Sequence, residues 1–182
     1  VIIDDALAFV GGLDFAQCRW DTSRHLANHP DRLLLTDETP CRPFHDVQLM
    51  VSGPVAEALG QLARDRWHAA TGRSIFPRVH GRPEALWPEA VKPELSDVPV
   101  AIARTAPAFG ERVSVSEVEA LFLDSLNKAR RHIYIETQYL TSRTIADCLA
   151  ARLQDPKGPE IVMVLHPNSD GWLEQHTMDV LR

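Results

Sequence analysis

Short apolar runs rich in β-branched and aromatic residues mark the first third of the chain. Residues 1–3 and 7–10 are two such runs, and the acidic segment 4–6 separates them. This pattern predicts two strands joined by a tight turn. Residues 47–51 form a third run of the same kind and predict a third strand.

A helix is predicted directly after the third strand. Gly53 ends the strand, and Pro54 suits the first helical turn because its missing N–H has no partner there. The pattern runs to Thr71 and Gly72, and its positions fall close to helical spacing at Val55, Leu59, Leu62, Arg66 and Trp67.

The long segment between the second and third strands is polar. Residues 19–43 carry Pro30 and Pro40 among charged side chains, so we expect an excursion with little regular structure. Excursions of this kind often shape binding surfaces.

Residues 73–96 contain four prolines and predict a linker or surface wrap between an N-terminal part, 1–72, and a C-terminal part, 97–182. In the C-terminal part, strands and helices alternate. The predicted strands are residues 98–103, 132–135 and 161–165. This order indicates a layered α/β domain with crossover helices.

Two helices are predicted between these strands. Ser116 and Glu119 have capping-box spacing, and the apolar face of the first helix comprises Val118, Leu121, Phe122, Leu126 and Ala129. The second helix is predicted over 142–153, with its inward positions at Ile145, Leu149 and Leu153.

Two further segments of the C-terminal part, 161–165 and 171–182, also have patterns that predict structure. The wholly apolar run 161–165 is typical of a sheet that is covered on both faces. Residues 171–182 have a helical pattern.

Composition narrows the function classes. The chain has 182 residues, is 45% hydrophobic and has a formal charge of −6, so it has no bulk basic field for nucleic acid, and any phosphate binding must be local. Its three widely spaced cysteines argue against a disulfide scaffold or a zinc ribbon and favour a reducing compartment. No apolar run is long enough to span a bilayer, so we expect membrane contact at a surface only.

Asp4, Gly11, Gly12 and Asp14 have the spacing D-x6-G-G-x-D. This spacing resembles the tail of the H-x-K-x4-D-x6-G-[GS]-x-[ND] signature of the phospholipase D superfamily. The blocks "GGLDFAQCRWD", "PFHDVQLMVSGPVAEALGQLARDRW", "VAIARTAP" and "IYIETQYLTS" are similar, in the same order, to blocks of its eukaryotic-type members.

The resemblance implies a layered α/β/α fold, with the end of the first half and the beginning of the second half of a duplicated domain. In that family, each half brings one H-x-K motif to a shared cleft. One histidine attacks phosphorus, the other protonates the leaving alcohol, and no cofactor or metal is required.

None of the eight histidines of this chain has lysine two residues further on. We therefore expect the chain to lie between the two motifs of a parent phosphodiesterase or transphosphatidylase and to be inactive alone. The substrate implied is a glycerophospholipid at a membrane surface, with a cytoplasmic or peripheral membrane location. Head-group choice, calcium dependence and oligomeric state stay open.

Two acidic residues are the candidate catalytic groups. By the resemblance, Asp46 accepts a hydrogen bond from the first motif's imidazole, although an Asp capping the turn before a strand is a common alternative. Asp14 stands where many members carry Asn. An ionised carboxylate there would repel an anionic substrate unless it is protonated or paired with a cation such as the motif's lysine.

The candidate substrate-binding residues are Gly11, Gly12, His45, Glu136 and Gln138. The glycines would let a phosphate approach the backbone, although a simple turn at a strand end is the alternative. His45 either lines the cleft or is structural. Glu136 and Gln138 share one strand face near a carboxyl end, where α/β sheets bind ligands.

Asp4 is assigned to structure, because by the resemblance it braces the turn between the strands. His25, His29 and His45 invite comparison with a metal site, but Pro30 argues against the helix that such spacing needs. We therefore expect no metal.

Two other classes of function stay open. One is a non-catalytic member of the superfamily that uses the fold for binding or scaffolding. The other is a cardiolipin synthase or a nuclease, although the acidic balance of the chain speaks against a nuclease.

Overall fold

The computed structural model describes residues 1–77 and 86–165. The chain divides into two compact units, Val1–Ala101 and Ile102–Arg182, and each is described by itself. Both units combine strands with helices, so the chain is of the mixed α/β kind that the sequence predicts.

The first unit is built on an antiparallel sheet in the order β1-β2-β3. These strands are Ile2–Ile3, Leu7–Gly11 and Gln48–Ser52. Asp4 and Asp5 join β1 to β2 with φ values of 50° and 54°. This left-handed region suits tight hairpin turns and is tolerated by Asp, so the predicted acidic turn is confirmed.

Helix α1, Pro54–Thr71, packs on this sheet. Pro54 occupies its first turn, and Gly72 ends it with φ of 69°, which a residue with a side chain rarely adopts. Ala56 and Gly60 are the helix residues that are buried. The helix therefore begins and ends where the sequence predicts.

An ion pair that the sequence pattern did not indicate ties α1 to the hairpin. Arg64 donates to both carboxylate oxygens of Asp5, at 2.8 and 2.7 Å. Both side chains are largely enclosed, at 14% and 19% exposure. Gly60 leaves room for the pair, because a Cβ there would lie 1.8 Å from Asp5 Oδ1.

The excursion between β2 and β3 is organised around one buried arginine. The regular structure of the excursion is a single 3₁₀ turn, Gln17–Arg19, and an isolated bridge between Leu33 and Pro40. Arg32 is 2% exposed. It donates to the carbonyl oxygens of Trp20, Leu26 and Ala27 and to the Asp21 carboxylate at 2.6 Å. These hydrogen bonds, rather than a local hydrophobic core, stabilise the excursion.

Two of the three cysteines are paired, although their spacing argued against a disulfide scaffold. Cys18 and Cys41 form a disulfide, with their Cα atoms 5.3 Å apart, which is a normal bridging distance. They are 23 positions apart in sequence, but the excursion folds back on itself and brings its two ends together. The bridge removes the argument for a reducing compartment.

The second unit contains a parallel strand pair packed against two helices, and a small antiparallel ladder. The ladder pairs β4, Thr105–Ala106, with β5, Val115–Ser116. Strands β6, His132–Thr137, and β7, Glu160–Leu165, run parallel. Helices α2, Glu117–Lys128, and α3, Arg143–Gln154, cover one face of that pair, and the core is Leu126, Ile133 and Leu149.

Two local predictions about this unit are wrong. Residues 98–103 form no strand. The capping box at Ser116 is also absent, because Ser116 belongs to β5 and its side chain accepts no capping bond. Instead, Glu117 accepts hydrogen bonds from the backbone N–H of Arg104 at 2.9 Å and from its guanidinium at 2.6 Å.

Among the described residues, only one face of the β6 and β7 pair is covered, whereas the apolar run in β7 predicted cover on both. Tyr134, Val162 and Val164 point to the other face and are about half exposed or more, at 62%, 54% and 49%. Three helix positions predicted to be inward are exposed as well: Leu121, Phe122 and Leu153. The predicted helix over 171–182 lies outside the described residues. In the described part of the chain, no helix combines the length and apolar character that crossing a bilayer requires.

Replacing Arg64 with methionine should lower the free energy of unfolding by about 2 kcal/mol, because the enclosed Asp5 carboxylate would lose its charged donor. Arg66 on the same helix is exposed, so Arg66→Met is the matched control and should cost little. Urea unfolding of both variants measures the difference. Equal losses would contradict a stabilising role for the pair.

Iodoacetamide should label one cysteine per chain, Cys148, when the protein is unfolded without reductant, and three after reduction. Mass spectrometry of the intact chain counts the labels. Reduction should also destabilise the protein by about 3 kcal/mol, given the length of the closed loop. A Cys148→Ser variant should lose the same amount of stability on reduction. Three labels on the unmodified chain without reductant would show that the bridge is absent.

Candidate functional site

The end of β2 lies against the entry to β3 so closely that side chains are excluded. Gly11 pairs with Gln48 across the sheet. A Cβ at Gly11 would lie 2.6 Å from the carbonyl oxygen of Val47. The first of the two glycines is therefore required by strand packing, whatever else it does.

Gly12 faces the carboxylate of Asp46. A Cβ at Gly12 would lie 2.7 Å from Asp46 Oδ2, so a side chain there would displace the carboxylate. Asp46 Oδ1 accepts a hydrogen bond from the backbone N–H of Val47 at 2.7 Å. Two predicted site residues that are 34 positions apart are thus in direct contact.

The Val47 bond bears on both interpretations of Asp46. An Asp that caps a turn usually bonds the backbone two residues on, whereas this bond goes to the next residue. It fixes the direction of a carboxylate that could orient an imidazole. Asp46 is exposed, so the carboxylate is accessible for the second role.

Asp14 is paired with a cation from the chain itself. Arg19 Nε donates to Asp14 Oδ1 at 2.7 Å. The Arg19 guanidinium also lies over the Phe44 ring, 3.7 Å from its centroid, a favourable cation–π geometry. The sequence interpretation named the motif's lysine as one example of such a partner, and in this structure the partner is Arg19.

Arg19 is the site residue that the sequence interpretation missed. The available signal was its place in the block "GGLDFAQCRWD", five residues after Asp14. Because Arg19 ends a single 3₁₀ turn, Gln17–Arg19, and no regular helix joins it to Asp14, helical spacing rules could not predict this contact.

The five candidate residues of the first unit lie at one end of its sheet. They are Gly11, Gly12, Asp14, His45 and Asp46. His45 is exposed and sits between Phe44 and Asp46 in the segment that enters β3. Asp4 lies in the hairpin turn at the other end of β2, roughly 16 Å away along the strand. The structural role assigned to Asp4 stays a prediction.

The neighbouring histidines are engaged within the excursion. His25 Nδ1 lies 2.9 Å from Asp21 Oδ2, and this bond, with that from Arg32, holds the pKa of Asp21 far below its usual range. The His29 ring packs edge-on against Trp20, with centroids 5.0 Å apart. In the part of the chain that the structure describes, no group of three His, Cys, Asp or Glu side chains could hold a metal ion.

The candidate residues of the second unit lie at the carboxyl end of β6. Glu136 is exposed on the uncovered face of the sheet, and Gln138 is exposed just past the strand end at Thr137. The Tyr134 hydroxyl donates a hydrogen bond to Glu136 Oε1. This bond raises the pKa of Tyr134, because the carboxylate favours the protonated phenol.

The cluster in the first unit brings four features together. It offers backbone without side chains at two positions, an accessible carboxylate and a guanidinium already paired with a second carboxylate. Such a surface can admit an anion close to the backbone while a carboxylate fixes a neighbouring donor.

Gly12→Ala should displace the Asp46 carboxylate and lower the free energy of unfolding by about 1 kcal/mol or less, because the displaced carboxylate is the exposed end of a side chain. The double variant Gly12→Ala/Asp46→Ala should recover part of that loss, because the shorter side chain removes the clash. Urea unfolding of the single and double variants tests this contact. Strict additivity of the two substitutions would contradict it.

Comparison with known proteins gives weak but repeated similarity to one group. No protein-family model matches the sequence. The chain is 24% identical to Phospholipase D1 of Saccharomyces cerevisiae over 89% of its own length. It is 22% identical to Phospholipase D alpha 2 and 25% identical to Phospholipase D gamma 2 of Arabidopsis thaliana, over 77% and 73% of its length.

The chain spans only 12–22% of the length of these relatives. The similarity covers most of this chain and recurs in proteins of the same name. Together with the mixed α/β structure, it supports a phospholipase D-like relationship.

Proposed function

We propose that this chain is part of a phospholipase D-type phosphodiesterase or transphosphatidylase that acts on glycerophospholipids through a phosphohistidine intermediate. The cluster around Gly12 and Asp46 forms one wall of its phosphate pocket. The reaction takes place at a membrane surface, to which the protein binds peripherally.

The contact between Gly12 and Asp46 carries this proposal. The two residues come from separate blocks of the resemblance. In the fold, the position that a Cβ on Gly12 would occupy is 2.7 Å from Asp46 Oδ2. A turn glycine and a capping Asp need not meet. A phosphate wall that combines open backbone with an orienting acid requires that they do.

Each candidate residue has a stated role in the proposed reaction. Asp46 orients the attacking imidazole, which displaces the alcohol from phosphorus while a second imidazole protonates the leaving oxygen. Water or an alcohol then attacks the phosphohistidine. Gly11 and Gly12 admit the phosphate to the backbone, and His45 lines the pocket. Glu136 and Gln138 are the substrate-binding residues proposed for the second unit.

The chain alone should be inactive. It contains no H-x-K motif, and residues that act as a unit in covalent catalysis lose nearly all of the rate when one is missing. We therefore assign activity to a parent protein with two such motifs. Residues 1–72 then belong to its first half, 73–96 to a linker, and 97–182 to its second half.

Phosphatidylcholine hydrolysis by the full-length parent protein, beside the 182-residue chain, tests the proposal. Ethanol in the same assay reports transfer as phosphatidylethanol. The parent should be active and the chain inactive. Asp46→Asn in the parent should lower kcat by at least about 100-fold, because the imidazole loses its orienting acid.

Asp31→Asn is the matched control, since Asp31 is 78% exposed in the same excursion, and it should leave the rate unchanged. Activity in the isolated chain would contradict the dependence on H-x-K motifs. A parent without hydrolysis or transfer would favour a binding or scaffolding module instead.

A further inference from the structure

Arg19 pairs with Asp14 and lies over the ring of Phe44, two residues before Asp46. We infer that Arg19 is a positioning residue, which neutralises the Asp14 carboxylate so that an anionic phosphodiester can approach the Gly11 and Gly12 backbone. This inference rests on the proposed function and identifies the cation on which that function depends in this chain.

The two side chains of the Asp14–Arg19 ion pair differ in how far they are exposed to solvent. Asp14 is 62% exposed and Arg19 is 28% exposed, so the carboxylate faces the solvent from which a substrate would arrive. The more enclosed guanidinium lies behind it, with Nε 2.7 Å from Asp14 Oδ1. An unpaired Asp14 carboxylate would add a second negative charge to that of Asp46, which contacts Gly12, whereas the pair of Asp14 with Arg19 has no net charge.

Phe44 fixes the guanidinium in place. The ring centroid lies 3.7 Å from Arg19 Cζ, and Phe44 precedes Asp46 by two residues. Arg19 is therefore held between the acid after the paired glycines and the segment that carries the second acid. A lysine could supply the charge but not the planar stacking on the ring.

The rest of the excursion braces Arg19 from both sides. The preceding residue, Cys18, is bonded to Cys41, three residues before Phe44. The carbonyl oxygen of the following residue, Trp20, accepts a hydrogen bond from buried Arg32 at 3.3 Å. One covalent bond and one buried donor thus act on the residues that flank Arg19. This arrangement suits a side chain whose position has to be maintained.

Substitution in the parent protein separates charge compensation from a merely structural role. Arg19→Gln should raise KM for phosphatidylcholine about tenfold, because the uncompensated Asp14 carboxylate lowers the local substrate concentration. The value of kcat should change little. Asp14→Asn combined with Arg19→Gln should return KM close to that of the unmodified protein, and Arg19→Lys should be intermediate.

Arg24→Gln is the control for loss of one positive charge, since Arg24 is exposed in the same excursion. It should leave KM and kcat unchanged. If the double variant is no better than Arg19→Gln, Arg19 acts only by supporting the loop and the inference is overturned. A loss confined to kcat would overturn it as well.

Binding of inorganic phosphate to the 182-residue chain decides the inference even if the parent proves inactive. The Gly11 and Gly12 amide signals should shift on titration in an NMR experiment. Arg19→Gln should weaken the apparent affinity about tenfold, and addition of Asp14→Asn should restore it. Thermal unfolding checks that each variant is folded. Equal phosphate affinity in the unmodified chain and Arg19→Gln would overturn the inference, whereas an inactive parent alone would overturn only the proposed function.

Discussion

The structure of the first unit depends on a close approach between two strand ends that only glycine permits. Because Gly11 and Gly12 lack side chains, the end of β2 can lie against residues 46–48. That approach sets the position of the Asp46 carboxylate. It also leaves the backbone of residues 11 and 12 uncovered by side chains of their own, and the proposed pocket is built on both features.

The excursion shows how a long polar segment can be ordered without an apolar core. Its polar contacts converge on Arg32, whose guanidinium donates hydrogen bonds to three carbonyl oxygens and one carboxylate. A buried guanidinium would be costly without such partners. The disulfide adds a covalent closure at the ends of the segment. The loop therefore presents Arg19 and Phe44 from a fixed frame, although it has almost no regular secondary structure.

Local patterns predicted local structure well. The Asp4 and Asp5 turn, the ends of α1 and the strands β2, β3, β6 and β7 follow from short apolar runs, an acidic turn, proline placement and glycine at helix ends. Contacts between distant residues were harder to predict, because spacing along a sequence does not report distance in an irregular loop. The Cys18 to Cys41 bond and the Arg19 pairing are of this kind. The resemblance, rather than periodicity, indicated Asp46 and Gly12 as partners in one site.

The buried arginine of the excursion has a consequence for tolerance to sequence change. Three of its acceptors are main-chain oxygens, which every amino acid carries, so replacing Leu26 or Ala27 leaves those acceptors in place. Loss of the arginine itself removes every one of these bonds together. The loop should therefore tolerate substitution at many positions but not at Arg32, so that two chains with little identity here could still share its path if they keep Arg32 and the few side chains that bond or bridge within it.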